Sequence, residues 1–171
     1  MDRVKTTING KIYEHDVEPR LLLVHYIRET ARLTGTHVGC DTGNCGACTI
    51  LYEGKLVKSC LMLAAQANDA KLTTIEGMSI EAISTNGLSP IQDAFIEKFG
   101  FQCGYCTSGQ LMSAKACLNR NPRAGREEIR AAMTGNLCRC SNYNQYVEAA
   151  LAAAGSTNIM KTVIGDAAGV G

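Results

Sequence analysis

Tryptophan is absent from this chain, and aromatic residues make up only 5% of it. A core made here must rest on Leu, Ile, Val, Ala and Met. A dominant charge is also lacking. Lys and Arg total 17 against 16 Asp and Glu, for a formal net charge of +1, and the two signs are mixed along the sequence. With no basic block, nucleic acid and anionic membrane are not expected partners. No apolar run is long enough to span a bilayer. Asp2-Arg3-Val4-Lys5 leads straight into a strand pattern rather than a signal peptide, so a reducing, cytoplasmic location is expected. No Ser–His–Asp arrangement is visible. Gly165, Gly169 and Gly171 make no dinucleotide loop, because no strand or helix pattern surrounds them. The 171 residues suffice for one domain or two small ones.

Cysteine is what the chain has in quantity: nine of them. In a reducing compartment that number points to metal rather than to disulfides. Gly39-Cys40-Asp41-Thr42-Gly43-Asn44-Cys45-Gly46-Ala47-Cys48, with Cys60 further on, has the C-x4-C-x2-C…C spacing of a plant-type [2Fe–2S] ferredoxin. Three thiolates must approach two irons from one tight loop, with backbone N–H groups turned toward the sulfurs. Gly39, Gly43 and Gly46 permit that bend. A structural zinc site usually shows two close pairs across a longer gap, not a triplet plus one.

The first half reads as hairpin, helix, cysteine loop, hairpin and strand. Val4, Thr6 and Ile8 share one face of a strand, Asn9-Gly10 is a hairpin turn, and Lys11 to Val17 returns. Leu22, Leu23, Tyr26, Ile27 and Thr30 recur at helical spacing as far as Gly35. Strands follow around Glu53-Gly54 and at Lys71 to Ile75. This order predicts a β-grasp domain over residues 1–77, with the cysteine loop on the surface at one edge. Residues 78–88 read as a linker.

The second half reads as helix, cysteine pair, helix, written twice. Ser89-Pro90-Ile91-Gln92 is a capping box that opens a helix, with Ile91, Phe95, Ile96 and Phe99 as its buried stripe. Cys103-Gly104-Tyr105-Cys106 precedes a helix from about Gln110 to Leu118. Another spans about Arg126 to Met133. Cys138-Arg139-Cys140 precedes the last, about Tyr143 to Ala153. A four-helix bundle over residues 89–157 would bring both cysteine pairs to one end, each facing the positive end of a helix. That lowers thiol pKa and favours a negatively charged metal site. Iron–sulfur and zinc both accept four thiolates, and the residues of this half leave both open. Residues 158–171 read as a tail. Overall the expected class is α+β.

The two cysteine arrangements, in this order, resemble the small iron–sulfur subunit of the molybdenum hydroxylases. This is the xanthine oxidase family, with its aldehyde oxidoreductases and aerobic carbon monoxide dehydrogenases. Cys40 to Cys60, Gln102-Cys103-Gly104-Tyr105-Cys106 and Gly135-Asn136-Leu137-Cys138-Arg139-Cys140 carry the likeness, which extends from Val4 to about Ala154. Thr73-Thr74-Ile75-Glu76-Gly77-Met78 looks close to the carbon monoxide dehydrogenase small subunit. Cys106-Thr107-Ser108-Gly109-Gln110 looks closer to aldehyde oxidoreductases. Many members have Pro where Ser108 stands and Thr-Gly-Tyr where Ser141-Asn142-Tyr143 stands.

The resemblance implies two [2Fe–2S] clusters. Cys40, Cys45, Cys48 and Cys60 would hold the one nearer a flavin. Cys103, Cys106, Cys138 and Cys140 would hold a buried one nearer molybdenum. Gln102 and Cys140 match positions that approach the pterin of the molybdenum cofactor. The implied partners are a large subunit carrying a molybdenum–pterin dinucleotide and a medium FAD subunit, in a heterotrimer or a dimer of heterotrimers. The implied role is electron relay within an aldehyde- or N-heterocycle-oxidising dehydrogenase, or alternatively in an aerobic carbon monoxide dehydrogenase, with no catalytic residue in this chain.

A free two-cluster ferredoxin would be expected to show a marked acidic surface, which is lacking, and a zinc-stapled module would be colourless. Cys117 falls on a helix away from both sets and reads as a buried small hydrophobe. His15, His25 and His37 read as structural or surface residues, with His37 near enough to the first loop to tune it. Tyr105 reads as a shield for its cluster. Arg139 would offset cluster charge or pair with a partner.

Overall fold

A computed structural model describes residues 1–80 and 87–154. The chain opens with a hairpin of β1 (Asp2–Ile8) and β2 (Lys11–Val17). Its turn works because Asn9 and Gly10 both take positive φ, at 53° and 80°, as a two-residue turn of this hand requires. A second hairpin joins β3 (Thr49–Tyr52) to β4 (Lys55–Lys58) through Glu53 and Gly54, at 47° and 74°. The last strand, β5 (Lys71–Thr73), inserts parallel to β1 and antiparallel to β3. The result is a mixed five-stranded sheet in the order β2-β1-β5-β3-β4. A helical segment packs on it. Val4, Ile8, Leu23, Tyr26, Ile27, Ile50 and Leu72 form this core, and Val4, Thr6 and Ile8 all face inward as their alternation predicts.

Two elements differ from the sequence reading. The first helix runs as α1 (Leu23–His25) and then widens into a π-helical turn, Tyr26–Thr30, ending well before Gly35. The Arg28 guanidinium donates to the carbonyl oxygens of Thr34, at 2.7 Å, and Thr36. That fastens the following chain as a loop. The last strand ends at Thr73 rather than Ile75. Asn9 stops it: its Oδ1 accepts from Thr74 N at 2.9 Å, and its Nδ2 donates to Thr74 Oγ1 at 2.8 Å. Helix α2 (Ile75–Ile80) starts directly afterward, so residues expected at the end of a strand and the start of a linker are helical. The rest of that linker, through residue 86, and the expected tail lie outside the described residues.

Four helices make up the described part of the second half: α3 (Pro90–Glu97), α4 (Thr107–Arg120), α5 (Arg126–Met133) and α6 (Tyr143–Ala154). The capping box is present at α3, where Ser89 N donates to Gln92 Oε1 at 2.9 Å and Ser89 Oγ accepts from Gln92 N at 3.4 Å. Its buried stripe is shorter than expected. Ile91, Ala94 and Phe95 are buried, but Ile96 and Phe99 are exposed. The helix stops at Glu97 and Phe99 swings to φ 53°, while Gly100 N donates to Phe95 O at 2.7 Å. This left-handed C-terminal turn throws the Phe99 ring outward.

Helix α4 is buried nearly all round, from Ser108 to Lys115. It packs on α3, α5 and α6 and also on β3 and β4, so it joins the two halves. Cys117 is 1% exposed within that core, as its helical position suggested.

Candidate metal centres

The first cysteine loop curls because Asp41, Gly43 and Gly46 all take positive φ, at 57°, 74° and 79°. Cys45 N donates to Cys40 Sγ at 3.3 Å. Cys60 is delivered by a 3-10 turn, Ser59–Leu61, at the end of β4. Its sulfur comes within 3.2 Å of Cys48 Sγ. Ser59 pins the turn, with its Oγ donating to Cys48 O at 2.7 Å. The Thr42 side chain and the Cys45 and Thr42 backbone N–H groups lower the Cys40 thiol to about 6. Burial, with Cys48 beside it, pushes Cys60 up to about 11.

In the second group Cys106 is the N-cap of α4, but its side chain makes no capping hydrogen bond. Cys138 and Cys140 lie on the turn before α6. Cys106 and Cys138 are buried and their thiols interact. The Cys103 and Cys140 thiols interact likewise, but Cys103 is exposed and Cys140 half-buried. This site, expected as the buried one, therefore opens to the surface on its Cys103 side.

Two tyrosines that motif spacing did not single out hold Cys138. Tyr146 OH lies 3.0 Å from Cys138 Sγ and 3.2 Å from Cys106 Sγ, and Tyr143 OH accepts from Cys138 N at 2.8 Å. The available signal was a tyrosine pair one helical turn apart in an alanine-rich helix. Burial pushes Cys106 up to about 11. Burial also acts on Cys138, but the Tyr146 hydroxyl and the Asn142 and Cys140 backbone N–H groups outweigh it and bring that thiol below its ordinary value.

Among the described residues no three His, Cys, Asp or Glu side chains gather as they would around one ion. The strongest thiol–thiol interactions instead run in twos, Cys40 with Cys45, Cys48 with Cys60, Cys106 with Cys138, and Cys103 with Cys140, with weaker ones between the pairs of each group. Two pairs per group suit a cluster of two irons, each taking two thiolates, better than a single tetrahedral zinc. All nine cysteines are unbridged.

The two groups are joined across a tight seam. Gly46 is packed so closely against Gly135 O and the Asn136 side chain that a β-carbon there would overlap both, and one on Gly109 would strike Gly46 O. Cys45 O accepts from Leu137 N at 2.8 Å. Lys58 Nζ donates to Gly135 O at 2.8 Å. So the first loop is only partly a surface feature. Asp41, Thr42 and Asn44 are exposed, while Gly46, Ala47 and Cys48 are covered.

Tyr105 is 51% exposed. It reaches across the seam, stacking on His37 at 4.7 Å, and its OH donates to Val38 O at 2.6 Å. His37 is thus a tie between the halves. His15 contacts Tyr26 OH at 3.1 Å and His25 contacts Glu29 at 3.2 Å, both away from the thiols. Gln102 is exposed beside Cys140. Its Nε2 is 3.5 Å from Cys140 O and 3.3 Å from Asn142 Oδ1. Arg139 is exposed and makes no ion pair among the described residues. A cavity of about 520 Å³ lies behind the second group, lined in part by Gln110, Arg130, Met133, Tyr143 and Tyr146.

Residues 6–74 match the family model of a 2Fe-2S iron-sulfur cluster binding domain, and residues 74–151 match that of a [2Fe-2S] binding domain. The chain is similar to caffeine dehydrogenase subunit gamma of Pseudomonas sp. (strain CBB1), 41% identical over 162 residues, covering 93% of this chain and 95% of that one. Among solved structures it is similar to quinoline 2-oxidoreductase from Pseudomonas putida 86, with a TM-score of 0.83 and 42% identity over 90% of this chain and 93% of that one. It is also similar to the aldehyde oxidoreductase from Desulfovibrio desulfuricans ATCC 27774, with a TM-score of 0.84 and 38% identity. That match covers 90% of this chain but 17% of the other.

Proposed function

Because the chain belongs to the small iron–sulfur subunits of the molybdenum hydroxylases, we propose that it holds two [2Fe–2S] clusters and relays electrons from a molybdenum-cofactor subunit to a flavin subunit. Cys103, Cys106, Cys138 and Cys140 stand on the molybdenum side, and Cys40, Cys45, Cys48 and Cys60 on the flavin side. On this reading residues 1–77 are the β-grasp cluster domain and residues 89–157 the bundle domain, whose described part, through Ala154, holds α3 to α6. Each cluster supplies one-electron acceptance and release. This chain's residues do no bond chemistry; they hold, space and insulate the two sites.

The observation that carries the relay is the Cys45 O to Leu137 N hydrogen bond. Cys45 is a proposed ligand of one cluster, and Leu137 adjoins Cys138, a proposed ligand of the other. A short covalent and hydrogen-bonded path therefore links the groups. Gln102 and Cys140 lie side by side at the open edge, which supports their approach to the pterin of a partner's cofactor. Apolar side chains flank that edge: Phe99, Phe101, Leu137 and Tyr143 are all exposed. Asn142 Nδ2 donates to Phe99 O at 2.9 Å and ties the two flanking segments together. We read this rim as the seat of the large subunit in a cytoplasmic heterotrimer or its dimer.

The named relatives act on caffeine, quinoline and aldehyde, which supports an N-heterocycle or an aldehyde as the complex's substrate over carbon monoxide.

Iron and acid-labile sulfide analysis of the anaerobically purified complex tests the reading, with electron paramagnetic resonance after reduction. About four irons, four sulfides and two distinct signals are expected from this chain's sites. About two irons with zinc would remove the relay. The rim has its own test. Phe99→Asp keeps a residue that tolerates positive φ at an exposed position, so the folded chain should be unaffected. Its binding to the molybdenum subunit should weaken about tenfold, and unchanged affinity in a subunit-binding titration would count against this seat.

A further inference from the structure

We propose that the Tyr146 hydroxyl is a hydrogen-bond donor to the sulfurs of Cys106 and Cys138 that raises the reduction potential of the cluster they hold. This rests on those cysteines being ligands, as proposed above. Tyr146 is 2% exposed and fixed in place. Its ring stacks on Phe95 at 6.1 Å with 15° between planes and meets Tyr143 edge-on at 6.4 Å. The hydroxyl is then 3.0 and 3.2 Å from the two sulfurs.

The direction of the bond follows from chemistry. Metal-bound cysteines are thiolates with no hydrogen of their own, whereas a phenol carries its proton at neutral pH. The hydroxyl must therefore donate, sharing its one hydrogen between the two acceptors or favouring the nearer. Reduction adds one electron to the cluster and makes its sulfurs more negative. The bond strengthens in the reduced state, which is thereby favoured. No bond is made or broken, and the proton stays on the phenol oxygen.

The effect is local to one cluster. In the first group the donors to Cys40 Sγ are the Cys45 backbone N–H, at 3.3 Å, and the Thr42 side chain and N–H, none of which touches the second site. Backbone donors are retained through any side-chain change, while Tyr146 is a single removable hydroxyl. Its presence makes the second site a readier acceptor from a partner than the same four cysteines would be without it.

Tyr146→Phe deletes only the oxygen and keeps the ring stack. The test is a redox titration of the assembled complex followed by electron paramagnetic resonance. The reduction equilibrium of the second cluster should shift about tenfold toward the oxidised form, ~59 mV for a one-electron couple, with the first cluster unmoved. Both signals present at unchanged potentials would overturn the proposal. So would an equal shift of both, which would report a general change rather than this bond. A wild-type complex lacking the second signal altogether would instead refute the two-cluster reading. If Tyr146→Phe loses the second cluster, a fluorinated tyrosine placed at position 146 gives a stronger donor of nearly the same shape. It should raise the potential of that cluster alone, and no rise would overturn the proposal.

Discussion

Cys45→Ala is expected to stop turnover with the flavin subunit's acceptor while leaving the second cluster reducible by substrate. Cys45 is one of two thiols at the Cys40 end of its group. The complex should retain about two of its four irons, and the signal of the first cluster should vanish. Loss of turnover should exceed the roughly 10–100-fold that removal of an outer-shell partner costs, because a proposed ligand itself is gone. The Cys45 carbonyl still accepts from Leu137 N, so the seam between the halves should survive and assembly should be normal. Steady-state turnover, paired with substrate reduction of the second cluster, separates these outcomes. Full activity in a complex without the first signal would place that cluster off the path.

Gly46→Ala should do the reverse, breaking the seam with every ligand still in place. Gly46 has φ 79°, and a β-carbon there would overlap Gly135 O and the Asn136 side chain. A β-carbon in the left-handed region costs roughly 1–2 kcal/mol, and forcing extra volume into packed structure adds roughly 1–3. A loss of about 3 kcal/mol is expected by denaturant titration of the cluster-loaded chain. Gly54→Ala isolates the backbone part. Gly54 has φ 74° with nothing within 4 Å of a β-carbon, so only about 1 kcal/mol should go. If the two variants lose the same amount, packing at the seam contributes nothing. Electron passage from the second cluster to the first should also slow in Gly46→Ala, since displacing the loop stretches the Cys45 to Leu137 contact.

What could be read early was what is local in sequence. Cys40, Cys45 and Cys48 sit within one tight loop, so their spacing alone brings them together. Ser89 and Gln92 lie three positions apart, and their capping box formed as written. Asn9-Gly10 closed its hairpin because both residues tolerate positive φ. Where local patterns misled, a contact from elsewhere had won. The Arg28 guanidinium fastened the loop after a helix expected to reach Gly35. Asn9 ended a strand expected to reach Ile75. A left-handed turn put Phe99 outside a stripe that periodicity had placed inside.

By itself, then, the sequence determined the thiol content of the proposed sites, eight cysteines in two sets, and the kinds of element that carry them, because residue type and short-range spacing are properties of neighbouring residues. Only the tertiary structure decided how the thiols pair and that Tyr105 ties the halves through His37 and Val38. It alone brought Gly46 against Gly109 and set the Tyr146 hydroxyl between two sulfurs. Those are matters of ångströms between segments far apart along the chain, fixed by how α4 and α6 pack, and no local pattern records them.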